Sequence, residues 1–345
     1  MTSPVTINRL TDAEHAAWDA FVDRSAEGTF FHRAGWQTVV QRSFGHATHF
    51  LFAERGGAIV GVMPIVETKS FLFGHALISN GYSVAGGPIA DDEAARQALT
   101  DEALRILESS GAFYLEVRCP VRPIQGWLTR DNLYAGFSRG LPEDEAENLK
   151  QIPRKQRAVV RKAIDSALTY TIDTNVDDLW DLYAVSVRNL GTPVFGKKYF
   201  ANLLKVFGPA CDVLTIRSDG KPVASVLNFY FKNSVMPFYT GSMPRARRLG
   251  ANDLMYWKLM RHAVAKGLNT FDFGRSKVGT GPYDFKKNWG FSPVPLIHQF
   301  MTKPGTGMPD INPTNPKYRL FIKIWRKLPL PIANRLGPLI VRNIA

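Results

Sequence analysis

Two stretches of the sequence, 48–118 and 211–274, have the same order of predicted elements, and this repetition constrains the fold most. In each stretch a turn dipeptide separates two alternating apolar runs, Gly56–Gly57 in the first and Asp219–Gly220 in the second. Such dipeptides between apolar runs predict β-hairpins. The repeated order favours a duplicated unit, although α/β proteins also arrive at such orders without duplication.

Glycine positions and apolar spacing locate the elements that follow each hairpin. The first stretch continues with a Gly-rich loop (Asn80 to Gly87), a helix near 91–109 and a strand at 113–118. The second continues with a basic loop (Pro244 to Gly250), a helix near 251–266 and a strand at 270–274. Leu254, Trp257, Met260 and Val264 have the spacing of an α-helix. We therefore predict an α/β protein with domains at 1–148 and 149–302 and a tail at 303–345.

Length and cysteine content agree with two domains in a reducing compartment. A chain of 345 residues is long for one core, because single cores rarely exceed about 250–300 residues. Cys119 and Cys211 lack metal-ligand spacing, so we expect ordinary thiols and no metal site. The N-terminus lacks the pattern of a signal peptide, and no apolar run reaches the roughly 18 residues of a membrane-spanning helix. A cytoplasmic location is the expectation.

The net charge of +13 is concentrated in two segments. Residues 150–162 hold six basic and no acidic side chains, and residues 301–345 hold eight basic residues against Asp310 alone. Localised charge of this kind indicates a polyanionic partner or surface.

The first basic segment predicts a helix within 150–168, and Pro153 fits a first helical position there. Val160, Ala163, Ile164 and Ala167 share one side of that helix. The opposite side holds Arg154, Lys155, Arg157, Arg161 and Lys162. Two interpretations stay open: a connecting helix with a solvated face, or a surface for a phosphate-bearing ligand, since guanidinium groups pair well with phosphate oxygens.

The second basic segment contains KYRLFIKIWRKL at 317–328. Its apolar residues fall on one arc of a helix and its basic residues on the other, which is the composition of a membrane-interface helix. The alternative is a terminal helix that docks on the protein by the same apolar face. The absence of acidic residues favours peripheral contact with an anionic membrane, at the inner face of the cytoplasmic membrane.

Common catalytic motifs are absent from the sequence, but one loop has phosphate-binding character. The sequence contains no GxSxG, HExxH or GxxxxGK[ST] pattern. Arg247, Arg248, Gly250 and Asn252 stand at the start of the 251–266 helix, where backbone N–H groups can bind phosphate. The loop is similar to the phosphate loop of GNAT acyltransferases, with Asn252 in place of the final small residue.

The strip Phe271–Phe291 concentrates glycines, aromatics and cations just beyond a strand. Polar groups on loops carried by a sheet are typical of α/β sites. A lysine flanked by Phe285 and Trp289 can present its ammonium to a developing oxyanion in a partly dry setting. An ordinary solvated loop would explain the charges but not the glycines and aromatics among them.

The strip, together with FFHRAGW near the start and IWRKLPLPIANRLGP near the end, resembles the FemAB-like, BioF2-like acetyltransferase group. The likeness is strongest to FemAB proteins of exosortase/PEP-CTERM and exopolysaccharide gene clusters. The resemblance implies two tandem GNAT-like domains with mixed central sheets flanked by helices. It also implies transfer of an acyl or aminoacyl group to an amine of a cell-envelope or exopolysaccharide precursor.

The resemblance implies roles for particular residues. Lys286 matches the family lysine beside the reacting centre, and Arg188 matches an arginine that contacts precursor phosphate. From the chemistry of the strip we expect catalytic roles for Lys286 (oxyanion), Asp272 (base) and Tyr283. The expected substrate-binding residues are Arg188, Arg275, Ser276, Arg154, Arg157 and Arg161.

The donor and the function class stay open at this stage. No bound cofactor is expected, and the donor is acyl-CoA or aminoacyl-tRNA; the coiled-coil arm of several peptidoglycan Fem enzymes has no counterpart here. One alternative is an acyl-CoA-dependent N-acyltransferase that uses the 247–252 loop. Another is a non-catalytic module that binds a phosphate-bearing precursor or nucleic acid at the membrane.

Overall fold

The structure is a computed structural model, and it describes residues 3–70, 74–309 and 316–344. Groups of consecutive strands and groups of helices follow one another along the described residues. In chain order the strands are β1 (Thr6–Arg9), β2 (Thr48–Arg55), β3 (Ala58–Ser70), β4 (Gly74–Ser79), β5 (Ile89–Ala90), β6 (Tyr114–Arg118), β7 (Leu128–Gly140), β8 (Thr169–Asp173), β9 (Cys211–Ser218), β10 (Lys221–Phe231), β11 (Ser234–Ser242), β12 (Thr270–Lys277) and β13 (Val294–Thr302).

The helices lie between and after these strands. They are α1 (His15–Arg24), α2 (Gly35–Phe44), α3 (Glu93–Ser110), α4 (Glu145–Lys150), α5 (Arg154–Ile164), α6 (Val176–Leu190), α7 (Lys197–Phe207), α8 (Ala246–Leu249), α9 (Ala251–Ala265), α10 (Gly281–Asn288), α11 (Pro316–Trp325) and α12 (Leu330–Val341).

The chain forms two compact units. Unit 1 comprises Met1–Asn132, Leu296–Asn312 and Val341–Ala345, and unit 2 comprises Leu133–Pro295 and Pro313–Ile340. This division differs from the sequence-based limits of 1–148, 149–302 and 303–345. The boundary between Asn132 and Leu133 falls inside β7, and the boundary between Pro295 and Leu296 falls inside β13. The later residues of β7 pair with β12 of unit 2, and the later residues of β13 pair with β6 of unit 1.

Unit 1 contains a sheet in the order β1-β2-β3-β4-β6-β13. β2 and β3 form the hairpin predicted at Gly56–Gly57, and both glycines have positive φ. β4 and β6 run parallel, so the chain must cross over between them, and α3 is that crossover. The buried face of α3, which includes Leu99 and Ala103, packs on a core supplied by β2, β3, β4 and β6.

Unit 2 repeats this topology in the order β8-β9-β10-β11-β12-β7. The hairpin of β9 and β10 turns at Asp219–Gly220 as predicted. β11 and β12 run parallel, with α8 and α9 as the crossover. Leu254, Trp257 and Met260 of α9 are fully buried, which confirms the predicted apolar face of this helix.

The repeated order extends to the whole of both sheets. Two helices separate the first two strands of each sheet, α1 and α2 in unit 1 and α6 and α7 in unit 2. The sixth strand comes from a distant part of the sequence in unit 1: β13 pairs antiparallel with β6. In unit 2, β7 pairs antiparallel with β12. The fold is therefore a mixed α/β fold with two units of the same strand order, as the internal repetition of the sequence predicts.

The basic helix is shorter than the predicted 150–168. α5 begins at Arg154, directly after Pro153, and ends at Ile164. Val160 and Ala163 are buried as predicted. Ala167, assigned to the same apolar side, lies beyond the helix end and is exposed, because the chain turns at Asp165 towards β8.

The described C-terminal residues form two helices, of which the sequence predicted the first. In α11 the predicted apolar arc is divided: Trp325 is buried, whereas Leu320 and Ile324 are exposed. None of the described helices is both long and apolar enough to span a membrane.

Candidate active site

The candidate site is built on a β-bulge in β12. Asp272 lies opposite Ser138 of β7, but the next paired residue is Gly274, opposite Phe137, so Phe273 is the extra residue. Gly274 has φ +65, a conformation that glycine adopts without the steric cost of a side chain. Asp272 Oδ1 accepts a hydrogen bond from the Gly274 N–H at 2.8 Å. The Asp272 carboxylate therefore stabilises the bulge through a hydrogen bond within the same strand.

Lys286 occupies the space that the bulge opens. In a regular strand, successive carbonyls point to opposite sides, and a bulge interrupts that alternation. Three successive carbonyls here face one ammonium: Lys286 Nζ lies 2.6 Å from the Phe273 oxygen, 3.2 Å from that of Gly274 and 3.1 Å from that of Arg275. All three ammonium protons thus have an acceptor on the strand. The contact with Arg275 is the least buried of the three.

The environment of Lys286 weakens its hold on the proton. The side chain lies on α10 with only 9% of the residue exposed. Burial lowers the pKa of the ammonium to about 8, with the nearby Arg275 adding to the shift and Asp272 opposing it. Removal from water disfavours the charged form, and the carboxylate only partly offsets this. The Lys286 ammonium therefore has a pKa well below that of an exposed lysine.

The sequence located this lysine but not its aromatic neighbours. Phe285 and Trp289 were expected to flank the ammonium, and the rings nearest to Nζ are those of Phe137 and Phe273, at 5.4 and 5.7 Å. The strip beyond the strand is helical in the structure, and neighbouring residues on a helix point about 100° apart. Phe285 therefore points away from Lys286, and both Phe285 and Trp289, the residue that follows α10, pack against Tyr256.

Asp272 and Tyr283 lie beside the lysine on β12 and α10. Burial raises the pKa of the Asp272 carboxyl, and its hydrogen bond from Gly274 and the Lys286 charge oppose that shift. The Tyr283 ring packs edge-on against Phe137, with their centroids 5.3 Å apart. Asp272 thus adjoins the segment of β12 that holds Lys286, and Tyr283 contacts Phe137, whose ring also lies near the Lys286 ammonium; the catalytic roles of all three stay predictions.

Two further residues of the strip extend the site along β12. The Arg275 guanidinium lies over the Tyr134 ring, 4.5 Å from its centroid. Ser276 is buried, and its hydroxyl has no hydrogen-bond partner among the described residues. A buried hydroxyl without a partner is costly, so a substrate group that bonds to it would be stabilised there.

A residue that sequence reasoning missed is Asp253, in the first turn of α9. It is buried, and its Oδ1 accepts hydrogen bonds from Gln156 of α5 and from the Trp289 indole, the latter at 3.3 Å. Burial raises the pKa of this carboxyl to about 6, against the effect of the two donors. Asp253 thereby connects α5, α9 and the end of α10. The sequence feature that could have identified Asp253 is an acidic residue within the apolar face of a predicted helix.

The predicted phosphate loop adjoins the same helix. Gly250 (φ +67) ends α8 and directly precedes α9, and it offers no side-chain cap to that helix. A Cβ at this position would lie 3.1 Å from the Ala163 Cβ of α5, so glycine also permits the close approach of α5. Arg247 and Arg248 are exposed. Asn252 is half-buried, and its Oδ1 has no hydrogen-bond partner among the described residues.

The basic residues of α5 divide into two groups. Arg154 and Arg161 are exposed. Arg157 instead folds back, and its guanidinium donates to the carbonyls of Ile152 at 3.0 Å and Lys150 at 2.8 Å. Arg157 therefore stabilises the turn before α5, which limits how many of its donors a phosphate could use.

Arg188 lies apart from the bulge in sequence and in its contacts. It is in the last turn of α6, where its guanidinium donates to the Arg326 carbonyl at 3.2 Å. The role of Arg188 in phosphate binding stays a prediction. Among the described residues, no group of three or more His, Cys, Asp or Glu side chains is placed to hold a metal ion.

The family comparison covers the part of the chain that contains this site. Residues 150–287 match the model of a family described as an acetyltransferase (GNAT) domain. This segment spans α5, the predicted phosphate loop, the bulge and Lys286, and it is similar to a GNAT domain. No curated protein matches the chain in a sequence search.

Solved structures extend the likeness to most of the chain. A crystal structure of FemX superposes with a TM-score of 0.67 at 15% identity, covering 85% of this chain and 96% of that one. A tandem GNAT protein from the clavulanic acid biosynthesis pathway gives 0.56 at 14% identity, covering 88% and 100%. The C-terminal domain of a putative lysylphosphatidylglycerol synthetase from Agrobacterium fabrum gives 0.56 at 15% identity, covering 84% and 92%. At these identities the likeness shows the fold, which is a tandem GNAT fold.

Proposed function

We propose that the protein is a FemAB-like acyltransferase that transfers an acyl or aminoacyl group to an amine. The observation that carries the proposal is the buried Lys286 ammonium, held at the bulge of β12 within the segment that matches an acetyltransferase domain. The acceptor we propose is an amine on a phosphate-bearing precursor of the cell envelope or exopolysaccharide. This choice follows the resemblance to FemAB proteins of exosortase/PEP-CTERM gene clusters.

The proposed reaction begins with attack of the acceptor nitrogen on the donor carbonyl. The C–N bond forms and the carbonyl oxygen becomes an oxyanion. The bond from the carbonyl carbon to the donor's sulfur or ribose oxygen then breaks, and the leaving group takes up the proton that the attacking nitrogen loses. Lys286 would stabilise the oxyanion by exchanging its contact with the Arg275 carbonyl, the least buried of its three, for the developing charge. A positioned cation in a site with little water stabilises such charge strongly.

The ammonium proton of the acceptor needs a base before attack. Asp272 is the candidate on β12, because burial raises the pKa of its carboxyl and so strengthens it as a base. Water or a second substrate group is the alternative. Arg275 and Ser276 would position the acceptor next to the bulge. Holding both reactants in this way supplies much of the rate of a bimolecular reaction.

For the donor, the loop at 247–252 favours acyl-CoA over aminoacyl-tRNA. Gly250 leaves the N-terminus of α9 without a side-chain cap, and Arg247 and Arg248 are exposed beside it. Phosphate groups bind such a terminus through backbone N–H groups. An acyl-CoA-dependent N-acyltransferase is therefore the form of the proposal that this loop supports. Arg154 and Arg161 would contribute to the same positive surface.

The location we propose is the inner face of the cytoplasmic membrane, with peripheral contact through the C-terminal segment that includes 317–328. A lipid-linked acceptor would be presented at that surface. This part of the proposal depends on the exposed residues of α11 and α12, whereas the chemistry depends on β12 and α10.

The central experiment compares Lys286→Met with Lys287→Met, its exposed neighbour on α10. Purified proteins are supplied with acyl-CoA or aminoacyl-tRNA donors and amine acceptors extracted from envelope precursors, and donor consumption is measured. We expect Lys286→Met to lower kcat/KM by about 100-fold or more, as loss of an oxyanion donor does. Lys287→Met should stay within about twofold, since exposed substitutions have small effects. A folded Lys286→Met protein with full activity would refute the assignment.

The pH profile of the wild-type enzyme tests the same role without a substitution. The Lys286 pKa of about 8 predicts a rate that falls as pH rises above about 8, because the ammonium then loses its proton. Lys286→Arg should move this limb to higher pH, since guanidinium stays protonated. Consumption of no donor, together with tight binding of precursor or RNA, would instead favour a non-catalytic binding module.

A further inference from the structure

Helix α12 is apolar on two opposite faces. Its inner face, at Ala333, Gly337 and Val341, is buried in the protein. Its outer face exposes Ile332 (46%), Leu336 (42%) and Leu339 (62%). The outer residues are spaced i, i+4 and i+7, which aligns them along one side of a helix. A surface helix normally carries polar residues on that side, so the outer face of α12 has the polarity of a contact surface.

Close packing fixes which face of α12 points outward. A Cβ at Gly337 would lie 2.8 Å from the backbone nitrogen of Val194 and 3.0 Å from its oxygen. Such distances leave no room for a side chain, so the inner face can pack against Val194 only with glycine at this point. The helix therefore cannot rotate its larger apolar residues, Ile332, Leu336 and Leu339, towards this contact.

Helix α11 is held in a similar way and adds to the outer surface. Ile322 packs on Gly191, and the Arg326 carbonyl accepts the hydrogen bond from Arg188. On its other side, Leu320 and Ile324 are 65% and 54% exposed and stand one helical turn apart. Because α11 and α12 both pack their inner faces on the stretch 188–196, their exposed apolar residues lie on the side away from it.

The charge of the segment indicates what this surface meets. Residues 316–344 contain seven Lys and Arg and no Asp or Glu. Lys323 and Lys327 of α11 and its following turn, and Arg335 of α12, are exposed. On a helical wheel Lys327 is next to Leu320 and Ile324, and Arg335 is next to Leu339. Aliphatic side chains bordered by cations, without acids, match the boundary between lipid head groups and acyl chains.

We propose that the outer faces of α11 and α12 bind the surface of a membrane rich in anionic lipid. Ile332, Leu336 and Leu339 enter the apolar boundary, and the exposed cations contact lipid phosphates. This inference deepens the proposed function, since it rests on the proposed membrane location of the acceptor. It also changes the predicted contact residues: Trp325, expected to face the membrane, is buried in the protein.

RNA is the other polyanion that a basic surface could bind. Proteins bind single-stranded RNA by stacking bases on aromatic rings beside their cations. Among the side chains of α11 and α12 whose placement the structure describes, the exposed apolar ones are aliphatic except for Phe321, and aliphatic side chains cannot stack with bases in this way. The composition of the outer faces therefore favours lipid.

The test is flotation of the full chain with vesicles of phosphatidylglycerol and phosphatidylcholine, and with vesicles of phosphatidylcholine alone. The variant Ile332→Ser/Leu336→Ser/Leu339→Ser removes the outer face of α12. The matched control, Phe113→Ser/Val121→Ser/Leu128→Ser, removes three similarly exposed apolar residues of unit 1. We expect wild type and control to float with the anionic vesicles, and the α12 variant to lose about tenfold or more in binding. Added salt should weaken wild-type binding.

Equal flotation of the α12 variant and wild type would overturn the proposal, as would wild-type protein that ignores anionic vesicles. A single-stranded RNA oligonucleotide could instead bind the protein and release it from the vesicles. If the α12 substitutions left that RNA binding unchanged, the proposal would be overturned in favour of RNA. Circular dichroism checks the fold, and Leu336→Ser alone serves if the triple variant unfolds. Donor consumption with a soluble amine acceptor is followed in parallel. If the protein consumes donor but does not float with vesicles, only the proposed membrane binding is refuted. If it floats but consumes no donor, membrane binding is supported and the proposed transferase activity is not.

Discussion

The loop after β4 in unit 1 and the loop after β11 in unit 2 occupy equivalent places in the two sheets, but their interiors differ. In unit 1 the loop is filled by its own residues: Asn80 and Ser83 are fully buried, and the N–H groups of Gly86 and Gly87 both donate to the Arg118 carbonyl, at 3.2 and 3.0 Å. In unit 2 the loop ends in the exposed Arg247 and Arg248 and in Gly250.

The helices that follow these loops differ in the same sense. The first turn of α3 is capped by Asp92, whose carboxylate accepts from the Ala95 N–H and pairs with Arg55. α9 begins after Gly250 without a side-chain cap. A helix N-terminus favours negative charge. Asp92 supplies it to α3 as the capping residue, whereas the Asp253 carboxylate in the first turn of α9 accepts hydrogen bonds from Gln156 and the Trp289 indole. The two units therefore share a strand order but differ at this loop, which is filled by its own residues in unit 1 and exposes Arg247 and Arg248 in unit 2.

The largest expected effect comes from removing the cations of the unit 2 loop. Arg247→Ala/Arg248→Ala should weaken donor binding by about 100-fold, because each charge-assisted hydrogen bond to phosphate contributes roughly 1.5 kcal/mol. Calorimetry with CoA measures this directly. The control is Arg42→Ala/Arg105→Ala, which removes two exposed arginines of unit 1 and should leave CoA binding unchanged. Equal weakening by both pairs would show that only the overall charge matters.

A second substitution tests why the unit 2 loop needs glycine. Gly250→Val should destabilise unit 2 by about 3 kcal/mol, since valine is strained at positive φ and its side chain meets Ala163. Gly45, which ends α2, has φ +69 and nothing within 4 Å of its Cβ position. Gly45→Val should therefore cost only the backbone strain, about 1–2 kcal/mol. Urea unfolding gives both values, and equal costs would mean that the contact with α5 is unimportant.

The smallest effect concerns the carboxylates at the starts of the two helices. Burial raises the pKa of Asp253 to about 6, whereas the hydrogen bond from Arg55 lowers that of Asp92 to about 2. Folded protein thus binds a proton at Asp253 between about pH 4 and 6 that unfolded chain has released, so stability falls as pH rises through this window. Asp253→Asn keeps the acceptor oxygen and removes that slope, so the variant should be more stable than wild type at pH 7.

Urea unfolding of wild type and Asp253→Asn from pH 4 to 7 measures this slope. Asp92→Asn provides the control, because Asn also caps helices and the Asp92 pKa lies below the window. Its pH dependence should parallel that of wild type. A slope retained by Asp253→Asn would place the titrating group elsewhere.

Sequence reasoning succeeded where the signal is local. Gly56–Gly57 and Asp219–Gly220 specify tight turns through their own backbone preferences, and both predicted hairpins are confirmed. The apolar spacing of 251–266 likewise locates a helix that packs by one face. Such features depend on residues within a few positions of one another. The order of strands and helices in both units could therefore be predicted from the sequence.

The candidate site was readable only in part. Lys286 and Asp272 were identified from the composition of their strip. Asp253 was missed, because its importance depends on Gln156 and Trp289, which are distant in sequence. The prediction that Phe285 and Trp289 flank the Lys286 ammonium was wrong. The segment after β12 was interpreted as a loop, whereas it forms a helix with Pro282 in its first turn.

The sequence by itself determined the two hairpins and the helices that follow them, because short-range turn and helix preferences set both. The location of the excess charge follows directly from the residue types. Tertiary structure decided which sheet receives β7 and which receives β13, because strand pairing over such separations depends on the whole fold. It also decided that the bulge at Phe273 and Gly274 turns three carbonyls towards Lys286. That arrangement exists only when β12 pairs with β7 and α10 packs beneath it.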